Sequence, residues 1–187
     1  KYKVVMMSKT GDWFIRTYGE DVDDSGYDEF KAIEAARKEA EEYVLNSYNE
    51  ILEVENIKVA FEDKRFFDAI WYASTEILPA LEVQVVIDGE NNCFVTTGSS
   101  GYVEFGMSPP IGMKLPIRCW IHTHPFGAAY FSGVDIRTVS IWQPNMECAY
   151  VLGGEGHYGF WKNTAPKQLA IYRDSKFERV QSWGEEE

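Results

Sequence analysis

Two of the three histidines in this 187-residue chain stand one residue apart, in Ile121-His122-Thr123-His124-Pro125. The run Ile117–Thr123 is apolar-rich and strand-like, and side chains two apart on a strand point to the same face. His122 and His124 therefore present both imidazoles to one place. A catalytic zinc usually takes three protein ligands and leaves a fourth position for water, so a carboxylate returning to the strand end would complete such a site. Asp135 is the candidate, at the start of an expected helix behind the loop Phe126–Phe131. Taken alone, Ser132-x-x-Asp135 also reads as an ordinary capping pair, and the two histidines as ordinary strand residues.

Hydrolysis at such a centre needs a base beside the water, because a metal-acidified water must still lose its proton and the leaving amine must gain one. Glu82 suits this role. On Leu81–Ile87 the residues Leu81, Val83, Val85 and Ile87 share one face, and Glu82 and Gln84 point to the other. A solvated strand glutamate fits the same position, and on spacing alone Glu76, Glu90 and Glu104 are comparable candidates.

The elements that must carry these residues can be followed along the chain. Lys3–Met7 and Trp13–Tyr18 are β-rich runs around Thr10-Gly11-Asp12 and predict a hairpin. After an acidic loop, Ser25-x-x-Asp28 opens a helix expected from about Asp28 to Tyr48, and Ile51–Phe61 alternates as a strand would. The first sixty residues thus predict a ββαβ unit, with residues 61–187 as the main domain. A second helix is expected over Asp63–Leu78, closed by Pro79. Strands are expected at Leu81–Ile87, Cys93–Thr97, Tyr102–Phe105 and Ile117–Thr123, then a helix over Val134–Trp142. A hairpin of Glu147–Leu152 with His157–Trp161, a short strand at Leu169–Tyr172 and a solvated tail at Gly184–Glu187 finish the chain.

Composition bounds the function classes. Hydrophobic residues make up 45% of the chain, which suits a folded domain and not a disordered one. The formal charge of −12 repels phosphate backbones and argues against nucleic acid as a partner. No apolar run approaches the ~18–20 residues needed to span a bilayer. Lys1–Met7 is too short and polar for a signal peptide. Cys93, Cys119 and Cys148 lack CxxC spacing and read as reduced core thiols, so a cytoplasmic location is expected.

Taken together, His122-Thr123-His124-Pro125, ten intervening residues from the second histidine to Asp135, and Ser132 three before it resemble the JAMM (Mov34/MPN/PAD-1) metalloprotease signature. That pattern is a distant Glu, then H-x-H-P, then S-x-x-D. Ile117-Arg118-Cys119-Trp120-Ile121 resembles the hydrophobic strand that precedes it. Family members carry the Glu on an apolar strand ending in Gly seven positions later, which here matches Glu82 to Gly89 and lifts Glu82 above the other glutamates. The resemblance covers roughly residues 61–175; it departs at Val85, where many members have Gly.

The resemblance implies an α/β (α+β) fold, a cytidine-deaminase-like domain with a curved mixed sheet flanked by helices. It implies Zn2+ held by His122, His124 and Asp135, with Glu82 as the base and Ser132 as a hydrogen-bond donor to the oxyanion. It further implies cleavage of an amide or isopeptide bond at the C-terminus of a ubiquitin-like modifier or its conjugate. Only Gln143–Asn145 separates the expected Val134–Trp142 helix from the next strand, which leaves no room for the second insertion of linkage-selective relatives. Residues Gly98–Pro116 leave room for a flap that could clamp an extended tail. Thr123 is expected on the opposite face as a structural residue, and His157 at the surface. Two other readings fit the same residues: a non-catalytic binding module of the same fold, and a zinc hydrolase acting on another small amide or peptide.

Overall fold

The computed structural model describes residues 2–7, 13–18, 25–55, 60–98, 111–163 and 176–182. The chain is a mixed α/β protein. A two-stranded antiparallel hairpin of β1 (Tyr2–Met7) and β2 (Trp13–Tyr18) comes first, in the register Tyr2↔Tyr18 to Met7↔Trp13. Two helices follow, α1 (Ser25–Glu55) and α2 (Lys64–Tyr72). The main sheet holds β3 (Val83–Ile87), β4 (Cys93–Thr97), β5 (Ile117–Thr123), β6 (Met146–Gly153), β7 (His157–Lys162) and β8 (Lys176–Ser182). Helix α3 (Gly133–Trp142) connects β5 to β6.

The strand order is β4-β3-β5-β6-β7-β8. Only β5 and β6 run parallel, as a strand–helix–strand crossover through α3 permits; every other neighbouring pair is antiparallel. Helices cover both faces. Ala40, Val44, Tyr48 and Ile51 of α1 and Phe66, Phe67 and Ile70 of α2 pack on Val83, Val85, Ile87, Cys119 and Ile121. On the other face Val139 and Trp142 of α3 pack with Val86, Trp120, Ala149 and Trp161. With both faces covered, all five residues of β3 are buried and its sequence reads as a continuous apolar run broken only by Gln84.

Helix α1 corrects the expected strand at Ile51–Phe61. It runs to Glu55, and Ala60–Glu62 is a single 3-10 turn. The spacing Ala40, Val44, Tyr48, Ile51 continues one helical stripe into the core past Asn49-Glu50, which holds no Gly or Pro to stop it. The tertiary burial of Ile51 outweighs the local alternation, and the expected ββαβ unit becomes ββα among the described residues. The expected strands Tyr102–Phe105 and Leu169–Tyr172 and the tail Gly184–Glu187 lie outside the described residues, as does most of the expected flap. Strand β8 lies beyond the expected elements.

Helix α2 begins at Asp63, whose carboxylate accepts the Arg65 N–H at 2.8 Å, and passes into a π-turn at Ala73–Ile77 before Pro79. That turn places Ser74 against the sheet. Its hydroxyl donates to the Leu81 carbonyl at 2.6 Å and meets Thr123 Oγ1 at 2.8 Å, which in turn accepts the Val83 N–H at 2.9 Å. Thr123 is fully buried and joins the π-turn after α2 to β3 and β5, on the face away from the histidines. Among the described residues no helix is long and apolar enough to cross a membrane.

Candidate metal centre

The centre forms where β5 ends. His122 is the last residue but one of the strand and is 2% exposed. The β5–β6 ladder continues one step further, because the His124 N–H donates to the Leu152 carbonyl at 2.7 Å. This keeps His124 extended, with its ring on the same side as His122. The chain then turns, with the Gly127 N–H on the His124 carbonyl at 3.0 Å and the Gly154 N–H on the Gly127 carbonyl at 3.1 Å.

The returning loop lies hard against the sheet, and two glycines allow it. A Cβ on Gly153 would meet the Ala128–Ala129 backbone, with Ala128 C at 2.7 Å, and one on Gly159 would stand 3.1 Å from the Ala129 carbonyl oxygen. Ser132 then caps α3. Its Oγ accepts the Asp135 N–H at 3.3 Å, and its own N–H donates to Asp135 Oδ2 at 2.6 Å, a reciprocal capping box.

That box aims the Asp135 carboxylate at both imidazoles. Asp135 Oδ1 lies 3.1 Å from His122 Nε2, and Oδ2 lies 3.4 Å from His124 Nε2. The capping and ligand readings of Ser132-x-x-Asp135 are thus both compatible with one side-chain placement. His122 Nε2 faces the carboxylate at contact distance without the alignment of a hydrogen bond, and it is buried with no other partner. One ligand atom from each of His122, His124 and Asp135 lies within 4.8 Å of the others, so the cluster could hold a metal ion.

The outer nitrogens fit that use. His124 Nδ1 faces the Ala128 carbonyl at 3.4 Å, and the Tyr150 carbonyl favours a proton on His122. The Ala128 contact puts the His124 ring proton on Nδ1 and leaves the Nε2 lone pair of that ring for the shared point. Two imidazoles and a carboxylate are a donor set suited to zinc and its neighbours in the first transition row.

Burial holds the His122 pKa below its ordinary value and keeps the ring neutral, although Asp135 pulls the other way. Burial opposes a charge on His124 too, but hydrogen bonding and charge from Asp135, helped by Glu82, outweigh it and raise its pKa. Asp135 is penalised by burial, yet the imidazoles of His122 and His124 beside it hold its carboxyl well below the usual carboxylate range.

Glu82 stands at the mouth of β3. The β3–β5 register pairs Gln84 with His122, so one further step of two residues sets Glu82 across from His124. It is 8% exposed, and burial pushes its carboxyl up to about 7, with His124 drawing it down and Asp135 pushing it up. Among the other candidate glutamates, Glu76 and Glu90 are exposed, and Glu104 lies outside the described residues. His157 sits half-buried at the β6–β7 turn, with Nδ1 at 3.4 Å from the Gly154 carbonyl, and is not one of the clustered ligands.

Four residues to which the sequence assigns no role at the centre shape it: Gln84, Trp120, Gly153 and Gly159. Gln84 and Trp120 were within reach, since each lies two residues from a candidate and shares its face. The two glycines carry no such signal, because their role depends on a loop that packs on them from elsewhere in the chain. Comparison of the chain with protein-family models, with curated proteins and with solved structures finds no match.

Proposed function

We propose that His122, His124 and Asp135 hold a zinc ion and that the chain is a JAMM-type hydrolase of amide or isopeptide bonds. The convergence of two imidazole nitrogens and one carboxylate within 4.8 Å carries this reading. The layered arrangement of a mixed sheet between helices supports a cytidine-deaminase-like domain of that family. Zinc at this point would supply a Lewis acid that polarises a carbonyl and lowers the pKa of water to ~7.

The chain's own groups supply the rest. Glu82, buried on the face of the histidines, takes a proton from the attacking water at its carboxylate and returns it to the leaving amine nitrogen. Ser132 uses its Oγ lone pair to cap Asp135 and keeps its hydroxyl proton to donate to the developing oxyanion. A donor of that kind is worth ~10²–10³ in rate.

The substrate we assign is the C-terminal tail of a ubiquitin-like modifier or its conjugate. The α3–β6 connection is the short turn Gln143–Asn145, which leaves no second insertion over the site. Tyr130, 56% exposed, meets His124 edge-on at 5.6 Å and offers an apolar wall to an extended tail. The test is cleavage of modifier fusions with and without chelator, alongside zinc analysis of the purified chain. Cleavage lost to chelator and restored by zinc is expected; full cleavage by the zinc-free protein would overturn the reading.

A further inference from the structure

On the α3 face of the sheet, a line of side chains runs across three strands and ends on the buried imidazole of His122. Trp120, two residues before His122 on β5, stacks on that ring with centroids 4.5 Å apart and planes 14° from parallel. The indole cannot rotate freely, because its Nε1–H donates to Gln84 Oε1 at 3.1 Å, a buried bond from β5 to β3. The Gln84 amide is oriented in turn by its Nε2, which donates to Thr96 Oγ1 on β4 at 3.4 Å. Trp120 is 2% exposed and Gln84 3%, so solvent cannot substitute for either partner.

His122 needs such a lock. Its Nδ1 has no well-aligned hydrogen bond and its Nε2 meets Asp135 only at contact distance, so hydrogen bonding alone does not define the plane of the ring. A ligating imidazole must aim its Nε2 lone pair along the metal bond, and the groups that set its plane tune affinity much as the ligands do. An amide at position 84 is otherwise hard to account for, since a buried polar side chain is costly without a partner and its β3 neighbours are apolar.

We propose that Gln84 and Trp120 are positioning residues. Gln84 fixes the indole of Trp120, and the indole fixes the plane of His122 so that Nε2 points to the site shared with His124 and Asp135. The proposal rests on the zinc reading above.

The test is zinc affinity of the full chain, by competition with a chromophoric chelator, together with the visible absorption of the cobalt-loaded protein as a report of ligand geometry. Trp120→Leu removes the stack and is expected to weaken zinc about 10–100-fold, the range for an outer partner of a ligand. Trp120→Phe keeps a flat ring without its anchor, and Gln84→Met removes the acceptor at similar size. Each is expected to lose less than Trp120→Leu and to shift the cobalt spectrum. The Gln84→Met/Trp120→Phe double variant should be no worse than the weaker single one, because both break the same link. If Gln84→Met does not fold, the series Trp120, Phe, Leu decides the question alone. Unchanged affinity and unchanged cobalt spectra in folded variants would overturn the proposal while leaving the zinc reading intact. A wild-type chain that binds neither metal would overturn both.

Discussion

Ser132 and Asp135 hold each other in a reciprocal capping box, with the Ser132 N–H on Asp135 Oδ2 at 2.6 Å and the Asp135 N–H on Ser132 Oγ at 3.3 Å. The same Oδ2 lies 3.4 Å from His124 Nε2, so one carboxylate serves the helix and the centre together. Substitutions at Asp135 can separate the two roles.

Asp135→Asn keeps an oxygen that can accept the Ser132 N–H, so its thermal stability should stay close to that of the metal-free wild type. Its zinc affinity should fall by more than the ~10–100-fold typical of an outer-shell change. Asp135→Ala loses the cap as well and should cost a further ~1 kcal/mol of stability. Calorimetry and chelator competition on the three proteins read the two effects apart. Wild-type zinc affinity in Asp135→Asn would remove Asp135 from the ligand set.

Glu82→Gln should keep its zinc and lose ~10²–10⁴ in hydrolysis rate, the usual range for a general base. Metal analysis beside a cleavage assay with a modifier fusion measures both. Full activity in this variant would sink the assignment of Glu82 as base.

The same variant carries a pH prediction for the metal-free chain. Burial raises the folded-state pKa of Glu82 from 4.5 to about 7. A carboxyl raised in the folded state favours folding fully below the unfolded value, and that contribution is lost as pH rises to about 7. Metal-free Glu82→Gln should therefore match wild type near pH ~4 and exceed it at pH ~8, by up to ~3 kcal/mol. Urea titrations at the two pH values check this, and equal stability at both would contradict the buried setting of Glu82.

Gly153→Ala should destabilise the chain by ~1–3 kcal/mol, the cost of overpacking, because the new Cβ would press on the backbone of Ala128 and Ala129. The displaced loop leads to Asp135, so zinc affinity should drop with it. Gly133→Ala is the control: a Cβ there meets nothing within 4 Å, so stability should hold or rise by up to ~1 kcal/mol and zinc affinity should not change. Thermal melts and chelator competition on the pair settle the comparison.

Much of this architecture was legible in the chain. The apolar-rich, strand-like run Ile117–Thr123 matches β5 residue for residue, and the Ser132 cap starts α3 at the next residue. Cys93–Thr97 matches β4, and the expected hairpin of β6 and β7 forms around Gly154–Gly156. Each is a local signal, carried by alternation, capping or glycine within a few residues. The strand read into Ile51–Phe61 failed for the opposite reason. Its alternation is local, but the burial of Ile51 in line with Tyr48 and Val44 is decided by the sheet beneath α1.

By itself the sequence determined which side chains could act and which of them share a face, because strand and helix periods follow from backbone geometry alone. It placed His122 with His124, and Glu82 with Gln84. Only the tertiary structure decided that these two pairs stand side by side, since the β3–β5 register joins residues about forty apart in the chain. The close approach of Asp135 was likewise a tertiary matter. It depends on a loop packed over Gly153 and Gly159, and contacts of that range leave no periodic trace in the sequence.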